Sequence, residues 1–217
     1  MKLLVLDAST SICGVALVEG NESEIKLISS IHLNINNAHS ERMMLLVEYI
    51  MQQSSISSKD IQAIAVTIGP GSFTGLRIGL SVAKGLAFSF KVPLVTVPTL
   101  EAIALPWIDH YRRIWVALTS RKKEYYIAFF EDHNVLIKGQ VWKFDELENN
   151  LLQGDLLLTD DPISFSELSG IHISNSQDGL PNVFSVGKIG LTKAIAGIYA
   201  DLDNVVPDYF QGFRGAS

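Results

Sequence analysis

The chain has 217 residues, 47% hydrophobic and 18% charged, and its 17 basic and 23 acidic side chains leave a net charge of −6. A chain of this length buries on the order of 70% of its unfolded surface, enough for one compact domain or two small ones. The acidic balance excludes a protein that grips nucleic acid by itself, and a lone cysteine, Cys13, excludes an internal disulfide and a cysteine-based zinc site.

Taken in chain order, Lys2 to Leu6, Ile12 to Val18 and Ile25 to Leu33 are predicted as three strands with turn residues between them. Only Leu3 to Leu6 precede Asp7, too short an apolar run for a signal peptide, and no uncharged apolar run reaches about 18 residues, so a cytoplasmic protein that spans no membrane is expected. A helix follows from His39 to Gln53, then a strand from Ile61 to Ile68, a helix ending near Phe90, a strand from Leu94 to Val97 and a helix from Thr99 to Leu105. Pro93, Pro98 and Pro106 punctuate the end of this βββαβαβα series, which sets a first lobe over 1–103 and a second over 104–217. The second lobe opens again with strands at Arg113 to Thr119, Glu124 to Glu131 and Val135 to Trp142. A helix at Phe144 to Leu152, a strand at Leu156 to Thr159 and a late helix at Lys188 to Tyr199 follow. The stretch 163–187, rich in Ser, Gly and Asn, reads as a mobile excursion. Two halves with the same opening imply an internal duplication.

The run Gly69-Pro70-Gly71-Ser72-Phe73-Thr74-Gly75-Leu76-Arg77-Ile78-Gly79 joins the Ile61 to Ile68 strand to the longest helix. Proline between two glycines reads as a stiff turn with Ser72 as N-cap, and a glycine-rich strand-to-helix turn is also a phosphate cradle in principle. Thr74 stands where a Walker loop or a dinucleotide fingerprint starting at Gly69 needs glycine, and no lysine follows, so the spacing favours a structural turn. At about 100° per residue, the apolar and small residues of 75–90 cover roughly 200° of arc, twice what one core contact needs. Gly75, Gly79, Ala83 and Ala87 recur every four residues, as close backbone approach requires. Leu46, Ile50, Met43, Val47, Met51 and Met44 likewise cover about 160° of the His39 to Gln53 helix, with Leu45 and Tyr49 outside. A neighbouring element of the same domain would cover part of these arcs. The excess on two helices points to a pairing surface made of Met43, Met44, Leu46, Val47, Ile50, Met51, Gly75, Leu76, Gly79, Leu80, Ala83 and Ala87.

A duplicated βββαβα order belongs to the actin, sugar-kinase and Hsp70 (ASKHA) superfamily, whose α/β chemistry uses identifiable parts. Asp7-Ala8-Ser9-Thr10-Ser11, a carboxylate at the end of the opening strand followed by hydroxyls, matches the first part in outline. Asp7, Ser9 and Thr10 fit either a vestigial nucleotide loop or a turn satisfied by its own side chains. The turn matched to the second part, Leu158-Thr159-Asp160-Asp161-Pro162, has no glycine, lacks one N–H and carries two carboxylates, so it repels a triphosphate. His32, His39, His110, His133 and His172 never share the three- or four-residue spacing of a helical metal pair, and no nucleophile elbow is present. Arg121-Lys122-Lys123 is a basic cluster in a hairpin turn beside Tyr125 and Tyr126, a solvated loop or an RNA contact.

GPGSFTGLRIG at 69–79, AHSERMMLLV at 38–47 and LLVLDASTSICGVAL at 3–17 together resemble the bacterial TsaB family, also called YeaZ. The resemblance covers the first hundred residues and is a matter of pattern beyond them. It implies a superfamily member without catalysis, cofactor or metal, which binds its paralogue TsaD. TsaD transfers threonylcarbamoyl to adenosine 37 of ANN-reading tRNAs, and the ATPase TsaE completes the complex. It implies pairing through the two helices above, a homodimer when the paralogue is absent, and tRNA contact only through the complex. TsaD presents a metal-binding histidine pair on its first helix, and Ala38-His39-Ser40-Glu41-Arg42 keeps one of the two. The chain departs from the family pattern at Leu118-Thr119-Ser120-Arg121 and at Pro207-Asp208-Tyr209-Phe210-Gln211. The competing reading is a stand-alone enzyme, either a glycoprotease-type metallopeptidase or an ATP-dependent kinase.

Overall fold

The computed structural model describes residues 1–34 and 39–209, with the side chains of 39–41 excluded. Among the described residues, ten strands and five α-helices are laid out in two units, Met1–Ala102 with Asn182–Pro207, and a second built on Ile103–Pro181. In the first unit, β1 (Lys2–Asp7), β2 (Ile12–Gly20) and β3 (Ile25–Asn34) form an antiparallel meander. Helix α1 (His39–Gln53) leads on to β4 (Ala63–Gly69), α2 (Phe73–Phe90) and β5 (Leu94–Pro98), and the sheet order is β3-β2-β1-β4-β5. Strands β4 and β5 run parallel to β1, as helical crossovers require.

Both faces of β1, β2, β4 and β5 are largely buried, while the edge strand β3 is exposed or half-buried, and alternate strand residues divide between the faces. Leu4, Leu6, Val15, Leu17, Ile64 and Val66 pack with Met43, Val47, Ile50, Leu80 and Ala83 of α1 and α2. Leu3, Val5, Ala16, Val18, Ala63 and Ala65 pack on the opposite face with Val183, Val186 and Leu191 of α5 (Val183–Ile195). Gly190 allows this contact, since a Cβ there would lie 2.6 Å from the Cβ of Ala65.

Helix α5 differs from the expected Lys188 to Tyr199 helix in extent and in place. It begins five residues earlier, where the Asn182 side chain accepts from the Phe184 N–H at 2.8 Å. It also packs on the first sheet, so 182–207 belong with the first unit and not with the expected second lobe. The expected excursion over 163–187 contains a 3-10 turn at Pro162–Phe165, β10 (His172–Ile173) and the start of α5. Short α3 (Thr99–Ala104) ends the first series.

The second unit repeats the first strand for strand. Its β6 (Arg113–Arg121), β7 (Glu124–Glu131) and β8 (Asn134–Lys143) form a meander, β9 (Leu156–Thr159) and β10 run parallel to β6, and the order is β10-β9-β6-β7-β8. The helices are reduced. Helix α4 (Phe144–Glu148) is five residues long, ending before the Asn149-Asn150 pair and not at Leu152, and a 3-10 turn replaces the α2 equivalent. Aromatic packing supplies the core instead, with Trp115 stacked on Phe129 at 4.2 Å between ring centroids and Phe165 fully buried. Among the described residues no helix is long and apolar enough to cross a membrane.

One buried carboxylate ties this unit together. Asp155 accepts from Arg113 Nε (2.7 Å), Arg113 Nη2 (3.3 Å), Trp115 Nε1 (2.8 Å) and the Leu152 N–H (3.0 Å). Removing one member of such a buried network leaves the others uncompensated. Asp155→Ala is expected to cost about 3 kcal/mol, read as a lowered urea midpoint in tryptophan fluorescence; an unchanged midpoint would refute the role given to Asp155.

Candidate functional site

The end of β1 meets the start of α2 in a close approach of two backbones. Asp7 is fully buried, and its Oδ1 accepts from the Ser9 N–H (3.0 Å), Ser9 Oγ (2.7 Å) and Thr67 Oγ1 of β4 (2.7 Å). Thr10 Oγ1 accepts from the Ile12 N–H, and the Ser72 N–H donates to the Ser9 carbonyl at 2.7 Å. The loop that enters α2 lies against this turn. A Cβ at Gly71 would stand 2.1 Å from the Ser9 oxygen, and one at Gly75 2.0 Å from the Ala8 oxygen. Ser72 caps α2 as the sequence implies, accepting from the Gly75 N–H at 3.2 Å. The glycines of 69–79 are thus a fit between two backbones. The hydroxyls of Asp7-Ala8-Ser9-Thr10 are turned into the turn itself.

Burial pushes the Asp7 carboxyl above its ordinary value, against the hydrogen bonds from Thr67 and Ser9. Its Oδ2 has no hydrogen-bond partner among the described residues. The nearby Cys13 thiol is pushed up to about 11, chiefly by burial and also by Asp7, which makes it an unreactive core group.

Strand correspondence changes the partner loop assigned from sequence. Because β6 occupies the place of β1, the counterpart of the Asp7 turn is the β6–β7 hairpin and not the β9 end at Asp160-Asp161. That hairpin is Arg121-Lys122-Lys123, exposed, with Lys123 in the left-handed region at φ 62°. The β9 end is a structural turn. Asp160 Oδ1 accepts from the N–H and Oγ1 of Thr119, both at 2.8 Å, and its carboxyl is raised chiefly by burial. Asp161 caps the 3-10 turn through Ser164 and accepts from Tyr125 at 3.3 Å. Tyr125 is itself buried, which leaves only Tyr126 beside the hairpin partly accessible.

The proposed pairing residues are mostly inside. Met43, Leu46, Val47, Ile50, Gly75, Leu76, Gly79, Leu80, Ala83 and Ala87 are all buried in the chain's own structure, and Met51 is half-buried. The stripe of small residues faces the sheet, where Gly79 lies over Ala8 and Val66. Of the twelve, Met44 alone is exposed. The large apolar side chains that do face outward are Met44, Leu45 (62% exposed) and Tyr49 (53%) on α1, and Phe73 and Phe88 (78%) on α2. Arg77 lies over the Phe73 ring, 3.8 Å from its centroid. Leu45 and Tyr49 fell outside the apolar arc read from the sequence, which therefore marked the buried face.

With this geometry, a family model for TsaD, tRNA N6-adenosine threonylcarbamoyltransferase, matches residues 27–175. The chain is 34% identical over 144 residues to the tRNA threonylcarbamoyladenosine biosynthesis protein TsaB of Escherichia coli, covering 64% of this chain and 60% of that protein. The chain belongs to the TsaD family, in its TsaB/YeaZ branch. Bacillus subtilis TsaB is 30% identical over 141 residues, with 65% of this chain and 60% of the relative covered. The match thus spans about 60% of the length of these curated relatives. YeaZ from Pseudomonas aeruginosa shares the fold, with a TM-score of 0.78 at 22% identity over 96% of this chain and 99% of that one. The architecture is the ASKHA type expected from the strand order.

Within this TsaB/YeaZ framework the histidines are dispersed. His133 Nδ1 lies 3.6 Å from Asp109, and His172 meets the edge of Tyr111 at 5.7 Å between centroids. Among the described residues no group of three or more His, Cys, Asp or Glu could hold a metal ion, and the side chain of His39 lies outside them. Thr119, one of the departures from the family pattern, is the residue that holds Asp160. At the other departure, Phe210 and Gln211 lie outside the described residues. Sequence reading missed Thr67, whose only signal is a hydroxyl at the end of a buried strand.

Because the folded Asp7 binds its proton more tightly than the unfolded chain does, its contribution is greatest in acid and is lost as pH rises through the folded value. Asp7→Asn is therefore expected to gain stability relative to the wild type from pH 4 upward, then level off. Urea midpoints of both proteins between pH 4 and 8 check this, and a constant difference would contradict it.

Proposed function

We propose that this chain is a noncatalytic subunit of the machinery that places threonylcarbamoyl on adenosine 37 of ANN-decoding tRNAs. The observation that carries this reading is the closed turn at Asp7-Ala8-Ser9-Thr10. A site that cradled a nucleotide there would present free N–H groups and hydroxyls, whereas Ser9 gives both of its donors to Asp7 and the α2 entry loop lies against the turn. The matched relatives are named as threonylcarbamoyladenosine biosynthesis proteins, which supplies the reaction.

The chain acts by binding, stabilising an active arrangement of its TsaD paralogue while contributing no reacting group. TsaE joins as the ATPase, and the same surface pairs two copies when the paralogue is absent. The surface is the outward side of α1 and α2, centred on Met44, Leu45, Tyr49, Phe73 and Phe88, since large exposed apolar and aromatic side chains of this kind anchor interfaces. The domain division at 103/104 fits this role only when 182–207 are counted with the first lobe.

Light-scattering chromatography with and without the paralogue, followed by modification of unmodified tRNA, tests the reading. A heterodimer that replaces the homodimer, with modification only when both chains are present, is expected. Modification by this chain alone, or tight binding of ATP or a metal by it, would establish the enzyme reading instead. Leu45→Glu with Phe88→Glu should weaken pairing at least ~30-fold, the loss typical of a hot spot, with unchanged monomer melting because both are on the surface. Ala83→Glu places a charge in the core and should unfold the monomer.

A further inference from the structure

The acidic chain carries an exposed cluster of cations at the β6–β7 hairpin, and its placement follows from the reduction of the second unit. In the first unit the β1–β2 turn is buried beneath the entry to α2. In the second, a 3-10 turn stands where α2 would be, and the equivalent β6–β7 hairpin is open to solvent. Its turn residues are Lys122 and Lys123, with Lys123 in a left-handed conformation that glycine or asparagine adopts with less strain. Arg121 pairs across to Glu124, and Glu124 to Lys143, so these three form a row over adjacent strands next to the turn. Four cations against one carboxylate give this group a net charge of +3, in a chain whose total is −6.

Apart from Lys138 within β8, the lysines and arginines of the second unit are sorted between the two ends of its sheet. At the start of β6, Arg113 is bonded to Asp155 and Glu131, and Arg112 to Glu131 and Asp132. At the other end, Arg121, Lys122, Lys123 and Lys143 form no ion pair with any described residue. The carboxylates on adjoining elements are engaged otherwise. Asp160 accepts from Thr119, Asp161 from Ser164 and Tyr125, and Glu146 from the Lys143 N–H. Asp145 and Glu124 make no ion pair with the four.

We propose that this hairpin contacts the phosphate backbone of the RNA substrate, an inference that rests on the function proposed above. Long cations on an exposed two-residue turn, with no ion pair among the described residues, suit phosphates, whose charge is read without base specificity. Tyr126, partly accessible on the adjoining strand, offers a face for an unstacked base. The negative charge elsewhere keeps the isolated chain a poor RNA binder, so the contact operates within the assembled complex.

The test uses the complex of the full chain with its TsaD paralogue and TsaE, wild type or carrying Arg121→Ala, Lys122→Ala and Lys123→Ala together. Labelled unmodified tRNA is titrated by anisotropy between 50 and 200 mM salt. The expected result is a salt slope shallower by about 2 to 3, affinity at 100 mM salt lower by about tenfold, and KM for tRNA raised with kcat unchanged. An unchanged slope with normal assembly would overturn the hairpin contact while leaving the proposed function standing. Failure of the triple variant to assemble would overturn it in favour of an acidic protein partner. Failure of the wild-type chain to form any complex would overturn the functional reading, and the hairpin contact with it.

Discussion

The approach of two backbones at the end of β1 sets the rest of the first unit. With no room for a Cβ at Gly71 or Gly75, the α2 entry loop lies directly on Ala8 and Ser9. This contact fixes where α2 starts and brings its small-residue stripe down on Ala8 and Val66. Leu80, Ala83 and Ala87 are thereby committed to the core. It also closes the turn that in a nucleotide-binding relative would have to stay open. A helix-interior glycine costs about 1 kcal/mol relative to alanine, and the packing it permits here offsets that cost.

The two sheets share one strand order and one set of strand directions, yet they are stabilised differently. The first is covered on both faces by long helices, as a sheet with parallel strands normally is. The second has lost the long helices and relies on aromatic stacking around Trp115 and Phe165 and on the four donors gathered by Asp155. The reduction leaves the β6–β7 hairpin exposed, with cations that form no ion pair among the described residues. A single duplicated pattern thus leaves exposed apolar side chains on α1 and α2 in one half and exposed cations in the other.

Most of the strands were legible because alternation and turn residues are local properties. The limits of α1, β7 and β9 agree with the structure, and those of most other elements differ by one to three residues. The start of α5 was not legible, since Val-Phe-Ser-Val-Gly has poor helix propensity and forms a helix only against the sheet it covers. At the site, the Ser72 cap and the structural character of the glycine run could be read directly. The pairing of Asp7 with Thr67 could not, because 60 residues separate them.

By itself the sequence determined the α/β class, the duplication and the family motifs, all of which rest on short-range periodicity and on residue types at fixed spacing. It could also show that α1 and α2 have more apolar surface than one contact buries. Only the tertiary structure decided which part of that surface is left over, turning Met43, Leu46, Gly79 and Ala83 inward and Leu45, Tyr49 and Phe88 outward. The physical reason is that hydrophobicity alone has no direction. A helix with a wide apolar arc can be turned either way until a close backbone contact, here at Gly71 and Gly75, fixes its rotation.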